Sequence, residues 1–344
     1  MSFILVTGAS GFIASHIINQ LVAAGHKVRG TVRSAKAEAV KSSYSSYGDK
    51  FEVAIIDDIA SSDLTEAFKD VKALVHVASG MDPSVGNEVM LKTAVTNRIL
   101  AQALASNVKK IVVTASVSSV IDIQYSWSDK IFSDKDWNPM TLEEASKPDA
   151  PVHVVYMGSK KAAEEAAWKF AKEHPDVDLA TVIPPYVYGP ATDAQSKLLK
   201  TPAAVSNNYI YELIKGTPGT PRPLPTAQML PGPCCIHVSD VARAHVLLLD
   251  APPSKEPERV VLNGVDLVWK DAVEYLGKTR PELKDRLFVA SEEPAGEALK
   301  WYKLDGSSAE KIIGMKEYIG WEKIVDETID DILKHEKALG ATVA

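Results

Sequence analysis

The chain has 344 residues, enough for one large domain or two smaller ones, with an ordinary 46% apolar and 24% charged residues. A net charge of -7 argues against a nucleic-acid binder with a broad basic face, and no apolar run approaches the roughly eighteen residues of a membrane span. The two cysteines, Cys234 and Cys235, are adjacent and badly placed for a structural disulfide, so a reducing, cytoplasmic setting is expected. The opening MSFILVTG has neither the basic segment nor the long apolar one of a secretory leader.

In chain order, FILVTG (3–8) reads as a buried strand and Gly11 to Ala24 as a helix ended by Gly25. HKVRGTVR (26–33), FEVAIID (51–57), ALVHVAS (73–79) and KKIVVTAS (109–116) are further strands separated by helical stretches. Near-continuous apolar runs alternating with helices predict a parallel sheet covered on both faces. Ligands of such sheets bind beyond the carboxyl ends of the strands, which singles out Gly8, Arg33, Asp58, Ser79 and Ser116.

A polar, aromatic excursion follows from Val117 to about Val152, then a helix and the strand DLATVIPP (178–185). The Pro/Gly-rich GTPGTPRPLPTAQMLPGP (216–233) suits neither a helix nor a central strand. A helix from about Ser239 to Asp250, a strand VVLNG (260–264) and a closing helix over 321–339 complete the pattern. The expected fold is α/β: a Rossmann-type doubly wound parallel sheet over residues 1–185, with a smaller C-terminal substrate-binding lobe over 186–344 that shares segments with it.

TGASGFIASH (7–16) sets Gly8, Gly11 and Ala14 between a strand and a helix. Gly8 permits a tight turn, Gly11 lets backbone approach a pyrophosphate, and Ala14 allows close helix–strand packing. Because strand, turn, helix and second strand all fall in the first 33 residues, the glycines stand in the context of a dinucleotide site. An NAD site normally ends its second strand with an acid that holds the ribose 2′-OH. Residues 26–37 contain none; Arg33 and Lys36 stand there instead and suit a 2′-phosphate, so the expected cofactor is NADPH/NADP.

With this turn at one end and YMGSKKAAEEAAW (156–168) at the other, the chain resembles the extended short-chain dehydrogenase/reductase family, in its dihydroflavonol reductase/fungal carbonyl reductase branch. The likeness runs through DDI (57–59), VAS (77–79), TASVSS (114–119), DKDWN (134–138), PPYVYGP (184–190) and HVSDVARAH (237–245). It implies a catalytic Ser116, Tyr156 and Lys160. A free phenol titrates near ~10, and a neighbouring cation favours its ionised form. Lys160, one helical turn from Tyr156, would supply that charge while bonding the nicotinamide ribose. Tyr156 would donate a proton to a carbonyl oxygen as hydride reaches its carbon, with Ser116 bonding the same oxygen.

The resemblance also places Thr7, Phe12 and Ile13 in the phosphate turn, Asp58 and Ile59 beside the adenine, and Ala78 and Ser79 against ribose and phosphates. Pro184 and Val187 would bound the nicotinamide, with Tyr186 in the substrate cleft. Relatives usually carry Gly-Thr in the helix before the fifth strand, where this chain reads VTNRIL (95–100), so no contact is carried over from there.

The reading is an NADPH-dependent reductase of small-molecule aldehydes and ketones, without nucleic-acid or membrane partners, acting as monomer or homodimer. Its rivals are a sugar-nucleotide epimerase or dehydratase of the same fold, a non-catalytic NADP-binding regulator, and a cinnamoyl-CoA reductase. The last carries an NWYCYGK-type stretch where this chain has VVYMGSK. His237, Asp240 and His245 are discounted as metal ligands: Ser239 is expected to cap a helix with Asp240 in its first turn. Cys234 and Cys235 are expected to pack or line a pocket.

Overall fold

Seven short apolar runs lie side by side as one parallel sheet: β1 (Phe3–Val6), β2 (Lys27–Val32), β3 (Phe51–Ile55), β4 (Val71–His76), β5 (Lys110–Thr114), β6 (Asp178–Ile183) and β7 (Glu258–Val261). Their order across the sheet is β7-β6-β5-β4-β1-β2-β3. This computed structural model describes residues 3–78, 97–218, 220, 222–225, 232–289 and 300–340.

Side chains alternate across each strand, and two apolar layers result. Ile4, Val6, Val28, Ala73 and Val75 face helix α1 (Phe12–Ala23), which returns Ala14, Ile17, Ile18 and Leu21. Leu5, Leu74, Ile111, Val113 and Leu179 face the other way, toward the helix Asn97–Ala105 and toward Ala167 and Phe170 of helix α2 (Val152–Glu173). Helix α3 (Val238–Asp250) covers Val112, Val182 and Val260 with Val241, Ala244 and Leu248. β7 and α3 come from the second half of the chain but complete the first half's layers.

The rest of the second half surrounds a three-stranded sheet of Tyr186–Tyr188, Cys234–His237 and Val265–Asp266. Its apolar core joins Tyr188, Ile210, Leu213, Leu267 and Leu276 to Ile324, Val325, Ile329 and Ile332 of helix α4 (Trp321–Leu339). In the Pro-rich stretch, residues 219, 221 and 226–231 fall outside the described ones; Arg222–Pro223 pairs with Phe288–Val289 as a two-residue strand. The cap of α3 differs from expectation: His237, not Ser239, is the N-cap, its Nδ1 accepting the Ser239 N–H at 3.1 Å. No helix among the described residues is long and apolar enough to cross a membrane.

Candidate active site

β1 sits where the sheet winding reverses, since β2 lies on one side of it and β4 on the other. Above that point opens a cavity of about 1940 Å³, larger than the roughly 300–1,000 Å³ of a single small-ligand pocket. Gly8 turns there at φ +73°; a Cβ on it would stand 3.3 Å from that of Ala78. A Cβ on Gly11 would meet the Gly8 carbonyl oxygen at 3.1 Å. Gly11 is also the N-cap of α1, without a side-chain cap or an acid in the first turn, so the N–H groups there are left for an anion. Phe12, Ile13 and Ala78 line the same wall.

Thr7 lies beneath that wall, fully buried. Its Oγ1 accepts the N–H groups of Val77 and Ala78, both at 2.9 Å, and donates to His76 Nδ1 at 2.9 Å. It fastens the end of β4 to that of β1 and does not line the cavity. Ser79 lies outside the described residues.

At the far end the lining holds Arg33, Lys36, Asp57, Asp58 and Ile59. Arg33 caps the short turn Ser34–Lys36, and neither it nor Lys36 pairs with a carboxylate among the described residues. Asp57, which sequence reasoning passed over in favour of its neighbour, accepts the Ser34 N–H at 2.7 Å. Hydrogen bonding from the Ser34 side chain, then this backbone bond and the Arg33 charge, hold its carboxyl below the usual range. Asp58 closes its own turn, accepting from Ala60 N–H at 2.9 Å and from the Ser61 hydroxyl.

At the near end, Ser116, Tyr156 and Lys160 line the one cavity together with Pro184, Tyr186 and Val187. Ser116 follows β5 in extended conformation and caps a short turn; its Oγ accepts the Ser118 N–H at 3.2 Å, which leaves its own proton to donate. Tyr156 and Lys160 are one turn apart on α2, with the ammonium nitrogen 5.9 Å from the centre of the phenol ring. Burial, then the neighbouring Tyr209 and Tyr156, push the Tyr186 phenol up to about 12, so Tyr186 stays protonated at neutral pH. His76 stays neutral: burial, reinforced by the Lys160 charge, lowers it to about 4.

Long-range partners were beyond sequence reasoning. Thr114, just before Ser116, donates to Nε2 of the buried His245 at 2.7 Å, while Nδ1 of that ring donates to the Val241 carbonyl at 2.8 Å. His237 bonds Glu327 at 3.0 Å, and Asp240 accepts the Ile319 N–H at 2.8 Å. Both cysteines are buried free thiols, Cys234 donating to the Asn263 carbonyl at 3.1 Å. Ile123, Trp127, Val152, Val205 and Tyr209 add apolar lining around the near end.

Residues 4–263 match the model of a family described as NAD dependent epimerase/dehydratase. An oxidoreductase of Schizosaccharomyces pombe is 34% identical, over 94% of this chain and 95% of its own length. A ketoreductase of Penicillium rubens is 32% identical, over 81% of each. The crystal structure of yeast methylglyoxal/isovaleraldehyde reductase Gre2 with NADPH superposes with a TM-score of 0.83 at 28% identity, covering 97% of this chain and 99% of that one.

Proposed function

The chain belongs to the NAD dependent epimerase/dehydratase family, and we infer that within it this protein is an NADPH-dependent reductase of aldehydes and ketones. One observation carries the reading: a single cavity has Ser116, Tyr156 and Lys160 at one end and the cations Arg33 and Lys36 at the other. Relatives named as a ketoreductase and as a methylglyoxal/isovaleraldehyde reductase with NADPH support it.

The lining fits the cofactor. The Gly8–Gly11 turn and the uncapped N-terminus of α1 suit its pyrophosphate, with Phe12, Ile13 and Ala78 beside it. Arg33 and Lys36 suit the 2′-phosphate, Asp58 and Ile59 the adenine, Pro184 and Val187 the nicotinamide. Bound NADPH supplies a hydride to the carbonyl carbon. Ser116 donates a hydrogen bond to the carbonyl oxygen and fixes its position. Tyr156 gives that oxygen a proton, and the Lys160 charge offsets the negative charge left on the phenol.

The substrate end favours an uncharged, apolar carbonyl compound. Ile123, Trp127, Val152, Val205 and Tyr209 line it while remaining 41–77% exposed, which buried core residues are not. Among the described lining residues the only Lys or Arg side chains are Arg33, Lys36 and Lys160. Among the described residues no further Lys or Arg lines it to hold a carboxylate or a sugar diphosphate. The two unpaired buried thiols suit a reducing, cytoplasmic location.

Following the loss of NADPH absorbance, then of NADH, over a panel of carbonyl compounds tests this. Oxidation of NADPH that requires an added carbonyl, with aryl and branched alkyl compounds outranking 2-keto acids in kcat/KM, is expected. Silence across the panel with NADPH bound would replace the reductase by a cofactor-retaining epimerase or a sensor.

A further inference from the structure

Two sequence segments have no part in the chemistry above, DKDWN (134–138) and the second turn beyond Tyr156 on α2, yet they meet in one buried cluster. Glu164 stands four residues after Lys160 and eight after Tyr156, hence on the same helix face, and is 1% exposed. Its Oε1 accepts from Thr181 Oγ1 on β6 and from Arg259 Nε on β7, both at 2.8 Å. Its Oε2 receives Arg259 Nη2 at 3.3 Å and lies against the Ser119 hydroxyl.

Arg259, 3% exposed, is in turn held by the DKDWN segment. Its Nη1 donates to the carbonyls of Asp134 at 2.8 Å and Asp136 at 2.6 Å, and its guanidinium lies 3.8 Å from the centre of the Trp137 ring. Asn138 of the same segment donates from its backbone to the Ser119 carbonyl at 2.9 Å and from Nδ2 to the Ser118 carbonyl at 2.8 Å. Ser119 is therefore gripped from both sides. Its hydroxyl stands between the Glu164 carboxylate and the Ser116 carbonyl, 2.6 Å from the latter. This is the turn whose Ser118 N–H orients the Ser116 hydroxyl.

A buried ion pair is weak as a source of stability, because desolvation consumes most of its attraction. What it does supply is direction: a planar guanidinium and a fully bonded carboxylate each fix their neighbours in one arrangement. The arrangement fixed here is that of the Ser116 turn against the helix face bearing Tyr156 and Lys160.

We propose that Glu164 and Arg259 are positioning residues, which act through Ser119 and Asn138 to hold the Ser116 hydroxyl in register with Tyr156 and Lys160. This rests on the reductase reading. Displacement of a reacting group by about 1 Å can cost on the order of a hundredfold in rate without touching cofactor binding.

Ser119→Ala cuts the link and leaves the buried charges paired; Glu164→Gln weakens the cluster itself. For Ser119→Ala, kcat per titrated NADPH site falls about tenfold to a hundredfold. KM, NADPH affinity and melting midpoint change little, and the amides of residues 117–120 exchange hydrogen faster. Glu164→Gln loses kcat in the same direction, beyond any loss of folded protein. Unchanged kcat per site and unchanged exchange in Ser119→Ala would overturn the proposal, as would a Glu164→Gln defect that only follows the folded fraction. If the unaltered enzyme shows no carbonyl-dependent turnover, the reductase reading fails, and hydrogen exchange alone then decides whether Ser119 holds the turn.

Discussion

On the proposed mechanism, Tyr156 is the side chain whose removal separates chemistry from binding. In Tyr156→Phe the ring and its packing persist, but the hydroxyl proposed as proton donor is gone. The expected result is a fall in kcat of about 10²–10⁴-fold, the usual contribution of general acid catalysis, with NADPH affinity within about twofold of the parent. Steady-state kinetics beside a fluorescence titration of NADPH measures both, and near-normal turnover would remove Tyr156 from the mechanism. Arg33→Ala makes the opposite cut. A hydrogen bond to a charged group contributes about 1.5–3 kcal/mol, so NADPH should bind about ten- to a hundredfold more weakly while NADH changes little. Equal losses for both cofactors would mean that Arg33 does not meet the 2′-phosphate. These residues were legible because their signals are local: four residues along a helix for the Tyr/Lys pair, one strand end for Arg33. Asp57 was missed because two adjacent acids look alike in sequence, and only the fold turns the first toward Ser34.

At the scale of elements, the β1 turn couples fold to site. Gly8 adopts φ +73°, a left-handed conformation that costs any other L-residue about 1–2 kcal/mol. Gly8→Ala should therefore lower the melting midpoint by a few degrees and, by tilting the turn proposed to face the pyrophosphate, raise the NADPH Kd. Thermal melts with and without NADPH test this: a variant stabilised by NADPH as much as the parent is would show that the turn does not shape the site. The strands were readable because an apolar run bounded by turn residues is a local pattern, and α4 (Trp321–Leu339) matches the expected 321–339. The cap of α3 was misread because a serine before an acid is a common capping signature, whereas the side chain that bonds there is His237. The Glu164–Arg259 pair spans 95 residues, and nothing in either flanking sequence announces the other; only the adjacency of α2 to β7 creates it.

For the molecule as a whole, buried histidines tie stability to acidity. Burial lowers His16, His76 and His245 to about 4, against the opposing hydrogen bonds to the Pro190 carbonyl at His16 and the Val241 carbonyl at His245, and with smaller lowering contributions from His237 at His16 and Lys160 at His76. Unfolding returns each to its ordinary value near 6.5. Above that pH both states are neutral and the full stability is present. Below it the unfolded chain takes up protons that the folded one refuses, so stability drains as pH falls toward 4. Each group withdraws at most about 1.4 kcal/mol per pH unit, the three together about 4, against a typical total of about 5–15 kcal/mol. Urea midpoints should thus drop steeply between neutral pH and pH of about 5, with a constant m-value. His245→Gln should be weaker at neutral pH yet lose about a third less per pH unit. Equal midpoints at the two pH values would mean that these rings are solvated in the folded state. The same titration reaches the site, because a protonated His245 has no lone pair left for the Thr114 hydroxyl. Because the folded ring takes up its proton only near pH 4, turnover per folded molecule should hold while the fold weakens between neutral pH and about 5 and should fall only as pH approaches 4, Thr114 being two residues from Ser116.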